Sequence, residues 1–257
     1  MWLLAFSAAM TLDPIRSTSP RYRNPNVKPG WYKSRQRTIT PHQKRLERTL
    51  WPLFGLTFTY GNMLDLDHAF GRAAPRVLEI GCGCGEALLA LASARPDHDF
   101  LGVDWFRSGV CTTLGLIEEA GLTNVRLVRA DAAMLLANGL PATPLFDEVF
   151  VLFPDPWRGS VERRIVRPET AALISARTRA GGVLRFASDV VGYAEDVEAL
   201  LAAAGGWESV PVARVEEQRP GHFRPDTKYA RDGTAAGRSI DDFTFLRIGG
   251  GPPPTPG

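Results

Sequence analysis

Arg76-Val-Leu-Glu-Ile-Gly-Cys-Gly-Cys-Gly-Glu86 is the stretch whose reading decides the fold. Val77, Leu78 and Ile80 make an apolar run too short for a helix, and it reads as a buried strand. Gly81, Gly83 and Gly85 follow at every second position, and Ala87-Leu-Leu-Ala-Leu-Ala92 then reads as a helix. A strand, a glycine turn and a helix start let backbone and free N–H groups approach a nucleotide-like ligand. The dinucleotide fingerprint needs a small third residue at position 86, where Glu86 stands. That departure counts against a nicotinamide dinucleotide and favours S-adenosylmethionine.

Downstream of this turn the chain alternates strand and helix. Strands are expected at 76–81, 99–105, 125–130, 147–153 and 182–188, and helices at 86–94, 108–120, 132–138, 168–179 and 191–203. Two more strands fall near 207–215 and at 242–248, with a polar loop from Glu216 to Ser239 between them. The pattern predicts an α/β, Rossmann-like fold: a mostly parallel seven-stranded sheet with helices on both faces.

Each of the first five strands carries or ends in a carboxylate: Glu79, Asp104, Asp131, Asp155 and Asp189. Ligands of open α/β sheets bind at the carboxyl ends of strands, so these acids should line one crevice. Asp104 lies about 20 residues past the glycine turn, where an acid commonly takes ribose hydroxyls. Glu79 can meet the methionine end or the sulfonium, and Asp131 the adenine amino group, although Asp131 also stands where a helix cap would. Phe153-Pro-Asp-Pro-Trp157 holds Asp155 between two prolines that stiffen its backbone, with the flat face of Trp157 beside it. An acid and an aromatic next to a methyl donor suit a planar nitrogen heterocycle.

Upstream, charge is unevenly placed. The 257-residue chain has a net charge of +2, but the stretch from Arg16 to Arg48 holds ten Lys/Arg against Glu47 alone, so it carries +9 and the remainder −7. Residues 1–39 lack apolar periodicity, and Tyr22, Trp31 and Tyr32 are interleaved with Arg21, Arg23, Lys28, Lys33, Arg35 and Arg37. Such a stretch reads as a mobile basic arm for an anionic, base-bearing partner. Thr40, Pro41 and Gln43 then form a helix start with a capping box, and the helix is expected to end near Trp51-Pro52. The domain proper is expected over 40–248, followed by a disordered Gly/Pro tail at 249–257.

Three cysteines are too few for a disulfide framework, and four scattered histidines argue against a metal site. Met1-Trp-Leu-Leu-Ala-Phe6 lacks a basic n-region and is too short to span a bilayer. A cytoplasmic protein, monomer or homodimer, with neither metal nor membrane partner, is expected.

Several segments together resemble the bacterial tRNA (guanine-N7-)-methyltransferase family, a class I S-adenosylmethionine-dependent fold. They are Arg35-Gln-Arg-Thr-Ile-Thr-Pro-His-Gln-Lys-Arg45, Leu78-Glu-Ile-Gly-Cys-Gly-Cys-Gly85, Phe100-Leu-Gly-Val-Asp104, Asp131-Ala132, Phe153-Pro-Asp-Pro-Trp157, Arg163-Arg-Ile-Val166, Ala187-Ser-Asp189 and Arg224-Pro-Asp-Thr-Lys-Tyr229. The glycine turn alone is generic; the Phe-Pro-Asp-Pro-Trp and Arg-Pro-x-Thr-Lys-aromatic segments together are selective. The resemblance implies that Glu79, Gly81, Gly83, Asp104, Asp131 and Asp155 hold the cofactor, with Asp155 catalytic. It implies that Asp189, Thr227, Lys228 and Tyr229 address a guanosine of the tRNA variable loop. N7 of guanine bears an in-plane lone pair and no proton, so no strong base is needed, and carboxylates can stabilise the positive charge that passes to the ring.

The chain departs from the family pattern at Arg158-Gly-Ser-Val-Glu162, which is short and lacks the usual Lys, and at Ala230, where many members carry Glu. Two further readings therefore stand beside the leading one. One is a same-family methyltransferase acting on another RNA or heterocycle. The other is a non-catalytic tRNA-binding protein that keeps the fold.

Overall fold

The computed structural model describes residues 38–218 and 224–249. The arm expected over 1–39 and the tail expected over 249–257 lie outside the described residues, apart from Thr38, Ile39 and Gly249. Ile39 is only 5% exposed, so the packed unit begins one residue earlier than the capping box implies.

In chain order the elements are α1 (Pro41–Phe54), β1 (Gly55–Leu56), α2 (Leu66–Phe70), β2 (Arg76–Ile80), α3 (Glu86–Ala94), β3 (Asp99–Asp104), α4 (Arg107–Glu119), β4 (Val125–Arg129) and α5 (Ala132–Asn138). There follow β5 (Phe146–Leu152), a 3-10 turn at Val161–Arg163, α6 (Pro168–Arg177), β6 (Thr178–Ser188), α7 (Tyr193–Ala204), β7 (Trp207–Val210), α8 (Val212–Gln218), α9 (Lys228–Ala235) and β8 (Asp241–Arg247). One sheet runs β1-β4-β3-β2-β5-β6-β8-β7. Its first six strands are parallel, while β8 is antiparallel to both β6 and β7. The seven expected strands are all present, and β1 adds a two-residue edge to them.

All five residues of β2 are buried, as a strand covered on both faces must be. On one face Val77 packs with α3, α4 and α1 through Leu88, Leu91, Leu114, Leu50 and Trp51. On the other, Leu78 and Ile80 join Leu135, Ile174, Val197 and Leu201 of α5, α6 and α7. Near the amino ends of the strands a buried ion pair, Arg95 Nη1 to Glu148 Oε1 at 2.8 Å, braces the sheet. Chain order reverses between β2 and β5, so the crevice of this fold class opens at their carboxyl ends, where the glycine turn lies.

The capping box forms: Gln43 N–H donates to Thr40 Oγ1 and Thr40 N–H to Gln43 Oε1, each at 3.1 Å. The same Gln43 amide donates to Ser108 Oγ at 2.8 Å, and buried Glu47 takes Arg107 at 2.8 and 2.5 Å. Both contacts fasten α1 to the start of α4, just past Asp104. The helix does not stop at Trp51-Pro52; Pro52 sits in its last turn and the helix reaches Phe54. Three other boundaries differ from expectation. α6 ends at Arg177 and β6 begins at Thr178. The strand near 207–215 stops at Val210, because Pro211 lacks the N–H a ladder needs, and α8 follows it. The polar loop of 216–239 contains α9.

Candidate active site at the carboxyl edge of the sheet

The turn after β2 is built on left-handed backbone: φ is +81° at Gly81, +56° at Gly83 and +81° at Gly85. A side chain at any of them would strain the turn. α4 comes so close that a Cβ at Gly109 would lie 2.4 Å from the Gly83 carbonyl oxygen. Gly85 is the N-cap of α3 and offers it no side-chain acceptor; Glu79 takes the Leu88 N–H there instead.

Asp104, expected to take a ribose, is already engaged by the turn. Its Oδ2 accepts the Gly83 N–H at 2.7 Å and its Oδ1 the Phe106 N–H at 2.6 Å. Burial raises its pKa and the Asp155 charge adds to the rise, while these N–H groups oppose it. With Trp105 N–H also bonded to it, the carboxylate keeps part of its acceptor capacity for a ligand. Asp104→Ala should therefore act twice. Cofactor affinity should fall by about 10- to 100-fold for one lost charge-assisted hydrogen bond, and stability should drop by about 1–3 kcal/mol for stranded N–H groups. Calorimetry and thermal denaturation on the same preparation read both, and unchanged affinity would remove the ribose assignment.

Glu79 is 4% exposed and its Oε2 is buried without a hydrogen-bond partner. Burial, and then the Asp104 charge, push its pKa up to about 8, with the Leu88 backbone N–H opposing. A buried carboxylate that takes one N–H of the α3 start and keeps its other oxygen unpartnered fits a cationic, amino-acid-bearing ligand such as S-adenosylmethionine. Asp131 proves to be the N-cap of α5, accepting the Met134 N–H at 3.1 Å, so capping accounts for part of its position.

Asp155 is exposed, three residues past β5. On either side of Pro154-Asp155-Pro156 stand Phe153 at φ +50° and Trp157 at φ +42°, the only non-glycine residues with positive φ among the described residues. Such backbone costs about 1–3 kcal/mol per residue and persists only where neighbours impose it. Here Phe153 N–H is held by Ala187 O at 2.8 Å, and Pro156 O accepts Arg164 Nε–H at 2.9 Å. Ser160 N–H closes back on Trp157 O at 2.8 Å, which defines the short 158–162 loop as a tight turn. Arg163 lies 3.6 Å above the Trp157 ring and covers one of its faces. The flat face expected of Trp157 is thus already partly used.

The open aromatic surface at this mouth belongs to Tyr229. It is 62% exposed and stacks on Phe153 with centroids 6.4 Å apart, while Arg224 covers Phe153 at 5.7 Å. Burial of the Tyr229 hydroxyl and then its neighbours Cys84, Asp155 and Asp104 raise its pKa. Thr227 is 5% exposed and its hydroxyl caps α9 through the Ala230 N–H at 3.3 Å. The Lys228 ammonium pairs with Asp232. Asp189 Oδ2 takes Arg238 Nε–H at 2.8 Å and lies against Gly233. Ala230, one of the departures, is 3% exposed, so position 230 faces inward.

Sequence reasoning passed over Glu86, Arg231 and Arg238, which tie α9 to the rest of the site. Arg163, Arg164 and Arg224 stand inside segments already singled out, but nothing in the sequence shows what they brace. Among the described residues no group of three or more His, Cys, Asp or Glu could hold a metal ion, and no helix is long and apolar enough to cross a membrane.

Comparison with known proteins agrees with this geometry. The Methyltransf_4 family model, described as "Putative methyltransferase", matches residues 73–243. The tRNA (guanine-N(7)-)-methyltransferase of Halorhodospira halophila is 40% identical over 82% of this chain and 91% of its own. That of Leifsonia xyli subsp. xyli is 41% identical over 86% of this chain and 96% of its own. Among solved structures, a variant of the 16S rRNA (adenine(1408)-N(1))-methyltransferase of Catenulisporales acidiphilia shares the fold, with a TM-score of 0.50 at 18% identity over 77% of this chain and 98% of that one. Because the matched span takes in the glycine turn, the Phe153–Trp157 wall and α9, and the relatives align over most of both lengths, the chain belongs to the tRNA (guanine-N7-)-methyltransferase family.

Proposed function

We propose that this chain methylates N7 of a guanosine in the variable loop of tRNA, using S-adenosylmethionine held at the glycine turn. The observation that carries the reading is the joining of the glycine turn, which Asp104 holds, to α9 through Glu86, with Tyr229 stacked on Phe153 two residues before Asp155. S-adenosylmethionine supplies a methyl group on a positively charged sulfur when bound. Glu79, Gly81, Gly83, Asp104 and Asp131 are the groups of this chain that would bind it. Guanine N7 needs no deprotonation, so the protein's work is placement and charge. Tyr229 offers an open ring for a base to stack on, and irregular RNA can present one. Asp155 sets a negative charge where positive charge develops on the purine. Thr227 caps α9, Lys228 pairs with Asp232 inside it, and Asp189 pairs with Arg238 just past it; the reach of Asp189, Thr227 and Lys228 toward guanosine is part of this proposal.

Mapping 7-methylguanosine in tRNA incubated with purified protein and methyl donor tests the reading. A single modified guanosine in the variable loop is the expected result. Binding of tRNA without transfer would favour the non-catalytic alternative, for which the tight 158–162 turn and Ala230 are the motivation. Transfer to another RNA only would favour the second enzyme reading.

The basic arm joins the domain beside α4, close to the crevice, and Lys44, Arg45 and Arg48 continue its charge along the exposed side of α1. We expect the arm to contact tRNA phosphates. Deleting residues 1–37, which spares Ile39 and the Thr40 cap, should weaken tRNA binding. It should flatten the salt dependence by about 0.9 in log–log slope for every phosphate that the arm neutralises. Filter binding across a salt series reads this, and an unchanged slope would show that the arm neutralises none.

A further inference from the structure

Glu86 occupies the position that interrupts the glycine pattern, and cofactor chemistry gives it no task. Its carboxylate is turned to α9 across more than 140 residues of sequence. Oε2 accepts the Lys228 backbone N–H at 2.5 Å and Oε1 accepts Arg231 Nη2–H at 2.5 Å. Arg231 Nη1 is fixed in turn by Asp226, donating to its carbonyl at 3.0 Å. Little else holds α9. Only Ala230 and Gly233 of its eight residues are buried, and a glycine in its interior works against the helix. Beside these stand the Thr227 cap, the contact of Gly233 with Asp189, the Arg238–Asp189 pair just past the helix and the stack of Tyr229 on Phe153.

We propose that Glu86 is a positioning residue that fastens α9, and with it Tyr229, to the start of the helix following the glycine turn. The inference rests on the tRNA-methylating reading for its effect on turnover, but not for the contact itself. Glu86 follows Gly85, the N-cap of α3, so the same helix start borders the cofactor turn on one side and the substrate-facing helix on the other. Burial is the largest single influence on the Glu86 carboxyl and pushes it up, but the Arg231 and Lys228 bonds and charges together outweigh it and hold the group below the usual carboxylate range. The anchor therefore stays charged through neutral pH. Glu86 and Arg231 side chains are 43% and 51% exposed, and pairs so exposed add little to global stability. What they set is where α9 rests, and a small misplacement of a substrate-positioning group is costly to turnover.

The test uses the full chain with Glu86→Ala, Arg231→Ala and the double variant. Amide exchange of residues 226–235, measured without RNA, should quicken in both single variants, with Tm lowered by less than about 4 °C. kcat/KM for tRNA should fall about 5- to 20-fold in each, and the double variant should lose clearly less than the product of the two single losses, because the Glu86–Arg231 pair is removed in both while the Lys228 and Asp226 bonds are each lost in only one. S-adenosylmethionine affinity by calorimetry should stay within about twofold, since the carboxylate is engaged with α9 rather than the turn. Glu86→Gln, which keeps one acceptor oxygen, should recover part of the loss. Unchanged exchange at 226–235 in both variants, additive losses in the double, or a fall in cofactor affinity in Glu86→Ala alone would each overturn the proposal. If the unmutated protein transfers no methyl group, the functional reading fails while the exchange experiment still decides whether Glu86 holds α9.

Discussion

Asp155→Asn is expected to slow single-turnover methyl transfer by about 100-fold or more, the usual cost of one preorganised electrostatic group. The substitution keeps the size and one acceptor oxygen and removes the charge. Cofactor affinity should change far less. The expectation has a structural basis in how Asp155 is held. Two non-glycine residues in left-handed backbone, Phe153 and Trp157, and the Arg164 bond to Pro156 O set its backbone before any substrate arrives. Its charge reaches Asp104 on the cofactor side and Tyr229 on the α9 side. If Asp155 served only the turn, Asp155→Asn and Asp155→Ala would both lose thermal stability and keep their rate per folded molecule. Rapid-quench transfer at saturating tRNA, normalised to folded protein, separates the two cases. Wild-type-like rates would end the catalytic assignment.

A second large effect should come from pH through Glu79. With its pKa pushed up to about 8, the free protein carries Glu79 mostly protonated at neutral pH. A cationic ligand favours the carboxylate, so binding should expel a proton. Affinity for S-adenosylmethionine should rise with pH by up to about tenfold per unit and level off near pH 8. The groups facing Glu79 do not cancel this. Asp104 of β3 adds negative charge, Cys82 is a buried neutral thiol whose own pKa is raised, and on the same sheet face Glu148 is paired with Arg95. Arg185 of β6 lies beyond Phe150 on that face. Stability follows the opposite trend. A raised folded-state pKa stabilises the fold fully below the ordinary carboxyl value and loses that contribution as pH rises through about 8. Glu79→Gln, neutral throughout, should flatten both dependences. Calorimetry in two buffers of different ionisation heat counts the released proton directly, and a pH-independent affinity in the unmutated protein would show that Glu79 does not face the cation.

Much of the site was legible because local rules govern it. A buried strand, a glycine turn and a helix start within eleven residues leave one arrangement of backbone, and parallel strands carry every residue near their carboxyl ends to one edge. That reasoning places Glu79, Asp104 and Asp155 at this edge, and their roles toward a ligand belong to the proposed function. Asp131 was named on the same ground, although its side chain is committed to a cap, and Thr227 was named by resemblance, while its hydroxyl serves α9 in the same way. A side chain's second task leaves no mark on spacing.

What the sequence by itself determined is the alternation of strands and helices, the capping box at Thr40, the place of the glycine turn and the concentration of positive charge before residue 49. These depend on neighbours a few positions apart. Only the tertiary structure decided that α9 exists within a polar stretch, since its hold comes from Glu86, Asp189 and Phe153, each far away in sequence. It also decided that Arg163 would cover Trp157 and leave Tyr229 as the open ring. An exposed eight-residue helix with only Ala230 and Gly233 buried has too few apolar residues to stand out from a polar loop. Its stability is the sum of contacts that form only once the sheet has brought the end of β6, the wall after β5 and the start of α3 together.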